Sequence, residues 1–191
     1  KKYFSGSVSL LLAFIYVMLP FRAADVYVRG AMGEAWGLAI LPAYLWGFEK
    51  YINEKNRFSF LLFSLLGGLF LITHNLTFFM SLPLLSVWFF MRLKDNRKIT
   101  KYVILSVILS LSISSFYIFP LVAERNLVHI ETMTQGYFNF VSHFSSLKQI
   151  FFSTHWGYGP SVAGVSDDAF LGIGPIHAVL GILGFTVCLV K

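Results

Sequence analysis

The sequence holds a single cysteine, Cys188, within its last apolar run. One thiol excludes an internal disulfide, and no cysteine-based metal motif is present. Charge is scarce as well: Asp, Glu, Lys and Arg make up 13% of 191 residues, and only 9 residues are acidic. Soluble domains carry about a quarter charged residues, so the composition excludes an ordinary water-facing globular surface. A Gly-rich phosphate loop, a nucleophile elbow and a zinc-binding helix motif are all missing. No convincing internal repeat or low-complexity tract appears.

What the chain has instead is apolar: 57% of residues are hydrophobic, and the mean hydropathy is +0.71. This composition belongs to an integral membrane protein. About 20 apolar residues cross a bilayer as a helix. Runs at 7–20, 31–48, 58–73, 76–91, 102–122 and 173–190 supply about six crossings on that criterion. The second run is interrupted by Glu34 and Pro42, and only His74-Asn75 separates the third from the fourth. The expected fold is all-α, a single polytopic bundle of about six transmembrane helices over 1–191. The chain opens Lys-Lys without an initiating Met and stops one residue after an apolar run, which reads as a fragment of a longer protein. The first run has no cleavage site of the signal-peptide kind.

The formal charge of +6 is a topology signal, not a nucleic-acid surface. Lysines and arginines gather at 1–2, 49–57, 92–101 and 191, where they give a net charge of roughly +8. The other segments total roughly −2 and hold all five histidines, with Asp25, Glu34, Glu124, Glu131, Asp167 and Asp168. Short basic loops stay in the cytoplasm, so the histidines and these acids face outward in the cell membrane. Anionic lipid headgroups would reinforce the same arrangement.

In the outer segment, about 123–172, Tyr137, Phe140, Val141, Phe144, Leu147 and Phe151 recur at helical spacing, opposite Asn139, Ser142, Ser146, Gln149 and Ser153. The pattern predicts an amphipathic helix lying in the interface or packed on other outer segments. From His155 the chain turns loop-like, with Trp156, Tyr158 and several glycines suited to a binding rim. Asp25 and Arg29 stand i, i+4 and can pair on one helical face, with Arg22 nearby. Glu34 lies about a turn further in, where a carboxylate is a functional candidate by default. The plainer alternative is a structural bridge, Asp25–Arg29 or Arg29–Glu34, and both readings stand at this level. His74 and Asn75 offer an imidazole and an amide to a phosphate or sugar, or simply close a turn. His155 with Asp167 and Asp168 offers N and O ligands for a divalent cation, at a spacing that matches no metal motif. No cofactor is specified.

Several strings in order resemble a known family: Tyr27-Val28-Arg29-Gly30-Ala31-Met32-Gly33-Glu34 with Pro42 ahead, then Thr73-His74-Asn75-Leu76-Thr77. Val128-His129-Ile130-Glu131, His155-Trp156-Gly157-Tyr158-Gly159 and Asp167-Asp168 follow. The order is similar to bacterial membrane proteins called 6-pyruvoyl-tetrahydropterin synthase-related membrane domains, which resemble the type C (GT-C) glycosyltransferase superfamily. No motif of a soluble pterin enzyme is present. The resemblance implies transfer of a sugar from a polyprenyl-phosphate donor at the outer membrane face. It also implies an acidic residue in the first outer loop as base or metal ligand, and that loop would precede this fragment.

The residues at hand match the chemistry so implied. Arg29, Arg22, His74 and Arg125 are candidates to hold the donor phosphate, where positive charge stabilises the departing oxygen. Asp25, Glu34 and Asp168, in that order, are candidates to deprotonate the acceptor hydroxyl. Asn75, His155, Trp156, Tyr158 and Asp167 are candidates for the sugar and acceptor, the aromatic rings by stacking. An inactive relative, a transporter or flippase, and a non-catalytic cell-envelope scaffold are the competing expectations.

Overall fold

A computed structural model describes residues 5–94, 97–129, 132, 134–152, 158, 162 and 172–190. Among these the chain is all-helical, with no strand. In order, α1 spans Gly6–Val17, α2 Pro20–Tyr27, α3 Met32–Glu54, α4 Arg57–Thr73, α5 Asn75–Leu93, α6 Arg97–Ile113 and α7 Ser115–Ala123. Beyond 3-10 turns, α8 covers Leu147–Phe152 and α9 Pro175–Val190. Each boundary has a local cause. Pro20 opens α2, where its fixed φ suits the first turn. Gly30 closes that segment at φ +65°, a conformation favourable to glycine. Asn56 caps α4 by accepting from the Ser59 N–H at 2.7 Å, the usual role of an N-cap amide. The second apolar run, with Glu34 and Pro42 in it, forms one helix: α3 runs unbroken through Pro42 to Glu54. Glu34 sits in its first turn, where the helix dipole favours a carboxylate.

The chain divides into two compact units, Met32–Val128 and the described residues of Lys1–Ala31 with His129–Lys191. In the first, α4 packs against both α3 and α6, and missing side chains let it approach closely. A Cβ on Gly47 of α3 would lie 2.9 Å from Leu66 Cδ1 and 3.5 Å from the Phe63 backbone. On the other flank, a Cβ on Gly67 would lie 2.5 Å from Ser110 Oγ, and one on Gly68 3.1 Å from Ile113. Serines 106, 110 and 114 recur every fourth residue and face this seam. Ser64 and Ser106 share a hydroxyl hydrogen bond of 2.7 Å, while Ser110 and Ser114 donate to the α4 carbonyls of Ser64 and Gly68. Beside the seam lies an aromatic core: Tyr44 stacks on Phe63 at 5.0 Å and Phe48 on Phe89 at 4.0 Å. Phe48, Phe63 and Phe70 are fully buried. Arg92 of α5 donates twice to Glu49 of α3, at 2.7 and 2.9 Å. This forked, charge-assisted pair ties the two C-terminal ends together.

In the second unit, His177 at the start of α9 bonds the Ile15 carbonyl near the end of α1 at 2.9 Å. A Cβ on Gly174 would meet Pro20 at 3.1 Å, so α9 begins close to the α1–α2 junction. The segment expected as one amphipathic helix is broken. Two 3-10 turns, Gly136–Phe138 and Phe140–His143, precede the six-residue α8. Its polar residues cap the starts of short helical segments instead of lining a face. Asn139 caps the second turn through the Val141 N–H. Ser146 and Gln149 exchange side chain and backbone, a reciprocal cap that starts α8.

Only α5 is by itself long and apolar enough, among the described residues, to cross a membrane, and 11% of its most apolar window is buried. Two bent pairs meet the same test together, α1–α2 at 47° and α6–α7 at 67°, giving up to three spans. The second bend falls at Ser114, whose hydroxyl bonds the Ser110 and Gly68 carbonyls. α4 and α9 are apolar but shorter.

Replacing Gly67 by Val should force α4 and α6 apart and cost about 1–3 kcal/mol, as overpacking does. The unfolding midpoint in neutral detergent should fall, and adding Ser110→Gly should restore part of it. A stable single variant would show that this seam does not govern packing.

Candidate functional site

Glycines on α3 bring one polar turn against the start of that helix. A Cβ on Gly33 would lie 3.2 Å from the Thr73 carbonyl and 3.6 Å from His74 Cδ2. One on Gly37 would lie 3.2 Å from His74 Cβ and 3.4 Å from Thr77 Cβ. Because Glu34 follows Gly33 in the same turn, the structure brings Glu34 and the His74-Asn75 turn to one end of this unit. All three residues are half-buried.

His74 serves two helices. It follows α4, and its extended backbone (φ −156°, ψ 98°) opens α5 as the N-cap. Its Nδ1 accepts from the Thr77 N–H at 3.3 Å and lies 2.7 Å from Thr77 Oγ1. A ring nitrogen that accepts from a backbone amide carries no proton, so Thr77 Oγ1 is the other donor. The neutral imidazole therefore holds its proton on Nε2, next to the Cδ2 edge that faces Gly33. Asn75 Oδ1 accepts from the Leu76 N–H at 2.8 Å, within the first turn of α5. Basic residues cluster away from this turn: Arg92, Lys94 and Lys98 lie at the far ends of α5 and α6, with Lys50, Lys55 and Arg57 around the α3–α4 connection.

In the other unit, Asp25 is fully buried and accepts from Arg29 Nη1 at 2.9 Å, the expected i, i+4 pairing. The Ala31 N–H donates to the Asp25 carbonyl at 2.9 Å and helps close the chain after α2. The Arg29 guanidinium lies 5.9 Å from the Phe21 ring centre, and that of Arg22 lies 5.3 Å from the Tyr16 ring centre. Both distances suit a cation over a ring face. Arg125 stands exposed on the 3-10 turn after α7, and Tyr158 is exposed as well. His155, Trp156, Asp167 and Asp168 lie outside the described residues, as does Glu131. Among the described residues no three His, Cys, Asp or Glu side chains group to hold a metal ion.

No protein family, curated protein or solved structure matches this chain. The site is therefore read from its own geometry. Sequence reasoning missed the Glu49–Arg92 bridge because its partners stand 43 residues apart. The i, i+4 spacing of Gly33 and Gly37 was the signal in the sequence that a neighbouring turn would dock there.

The cap and any ligand-binding role of His74 can be separated. His74→Ala should cost about 1 kcal/mol, the usual loss of an N-cap, whereas His74→Asn should keep near-parental stability. Thermal unfolding of both variants is the measurement, and equal midpoints would refute the cap.

Proposed function

We propose that this chain belongs to a membrane protein of about six crossings that transfers a sugar from a polyprenyl-phosphate donor at the extracytoplasmic face. The observation that carries the reading is the pairing of the Glu34 turn with His74, far from the cationic helix ends. Positive-inside sorting would put that pairing outside. His74 Nε2–H is suited to donate to the phosphate oxygen of the donor, with the Asn75 amide beside it. Glu34 is suited to take the proton of the acceptor hydroxyl. The acceptor oxygen then bonds the anomeric carbon, the bond from that carbon to the phosphate oxygen breaks, and polyprenyl phosphate leaves. We assign the base to Glu34 and not Asp25, because Asp25 is buried against a guanidinium that holds its charge in place. Arg29 and Arg22 are then stabilisers of the α2 end, and the resemblance to type C glycosyltransferases supplies the reaction class.

A second reading, movement of a lipid-linked solute, draws on the two bent helix pairs, since transporters use broken helices. Against it, the buried serines between α4 and α6 all spend their hydroxyls on helix-to-helix or intrahelical bonds.

Membranes carrying the full-length protein, given a labelled polyprenyl-phosphate sugar, should transfer the label to an endogenous acceptor. Glu34→Gln and His74→Asn should each lower the rate at least about a hundredfold, as loss of a general base or a charge-stabilising donor does. Parental rates in both variants would remove the site. Label that crosses sealed vesicles without changing covalent partner would favour transport.

A further inference from the structure

At the opposite end of the same unit a cavity of about 590 Å³ opens between the C-terminus of α3 and the first turns of α4 and α6. Lys55, Arg57 and Lys98 line it, one from each element's end. At this end Lys50 binds Glu54, and Arg92 binds Glu49. Among the described residues, Lys55, Arg57 and Lys98 make no side-chain hydrogen bond or ion pair. Glu54, the acid nearest Lys55 in sequence, is held by Lys50 and by Asn56 Nδ2. Two helix N-termini add their positive dipole ends to the same space.

The lining changes character along the helices. Phe60 lies one turn inward from Arg57, and Leu105 lies two turns inward from Lys98. Two turns correspond to a depth of about 10 Å at the helical rise. Cations at the mouth and apolar side chains below them match a charged head with a hydrocarbon tail, not a soluble anion. Lys55 adds a conformational point. It holds φ 53° just after α3, where glycine is the favoured residue and lysine is strained. A lysine kept there costs stability and delivers a cation to the cavity.

We propose that this cavity binds the phosphate of an anionic phospholipid between Lys55, Arg57 and Lys98, with an acyl chain along Phe60 and Leu105. The proposal rests on the membrane reading of the chain and not on sugar transfer, so either can fail alone. The test uses the full-length protein in nanodiscs of phosphatidylcholine with stepped amounts of phosphatidylglycerol, and native mass spectrometry reads the retained lipid. Phosphatidylglycerol should be retained over phosphatidylcholine, and millimolar inorganic phosphate or glycerol 3-phosphate should not displace it. Each of Lys55→Gly, Arg57→Gln and Lys98→Gln should weaken retention about fivefold, and the three together on the order of a hundredfold. Lys55→Gly also relieves backbone strain, so its unfolding midpoint should hold or rise while lipid retention falls. Lys101→Gln, at the same end but outside the lining, should change nothing. Equal retention by the triple variant, no preference over phosphatidylcholine, or displacement by inorganic phosphate would each overturn the proposal.

Discussion

Two backbones can approach within van der Waals reach only where side chains are absent or very small, and α4 meets that condition on both flanks. Phe63 and Leu66 pack over Gly47 of α3, while Ser110 and Ile113 of α6 press against Gly67 and Gly68. Close packing and hydrogen bonds between the helices supply attraction at this seam. The serine hydroxyls give it direction, since Ser110 and Ser114 reach carbonyls of α4 across the seam. The seam sets the depth of α4 between its neighbours, and so places both its connections: the basic turn into α4 and the His74 turn out of it.

Those two ends follow different electrostatic logic. At the basic end, Glu49 and Arg92 form a two-pronged bridge between α3 and α5, and partly buried side chains shield it from water. Lys50 and Glu54 make an exposed pair of the ordinary i, i+4 kind, and water screens such pairs until they contribute little to stability. The Lys50 hydrogen bond holds the Glu54 carboxyl below its ordinary pKa, and Asn56 acts in the same direction. Pairing these two cations leaves the cavity-lining ones to face whatever occupies the space between α3, α4 and α6. At the other end charge is sparse, and placement matters more than number: a single imidazole closes one helix connection and opens the next.

Asp25 and Glu34 illustrate how burial reorders candidates that look alike in sequence. Both are acids near one end of an apolar run. Asp25 is sealed from solvent and paired with Arg29. Glu34 keeps partial access in the first turn of α3 beside a turn bearing a ring N–H. A general base needs access to its substrate, so burial separates two carboxylates that look alike in sequence.

Much of this architecture is legible in the sequence. Hydrophobic runs mark the helices, the His74-Asn75 break marks the sharp turn between α4 and α5, and i, i+4 spacing marks the Asp25–Arg29 bridge, because all of these are set by neighbours in the chain. The outer amphipathic helix was misread because periodicity cannot register Asn139, Ser146 and Gln149 turning back to cap the backbone. By itself the sequence determined an all-helical, apolar chain with sharply segregated charge, since composition and local hydrogen bonding suffice for that. Tertiary structure alone decided that Gly33 and Gly37 receive the His74 turn, that Glu49 finds Arg92, and that Lys55, Arg57 and Lys98 share one cavity. Those pairings depend on helix register across tens of residues, and that register follows from which small residues allow two backbones to touch.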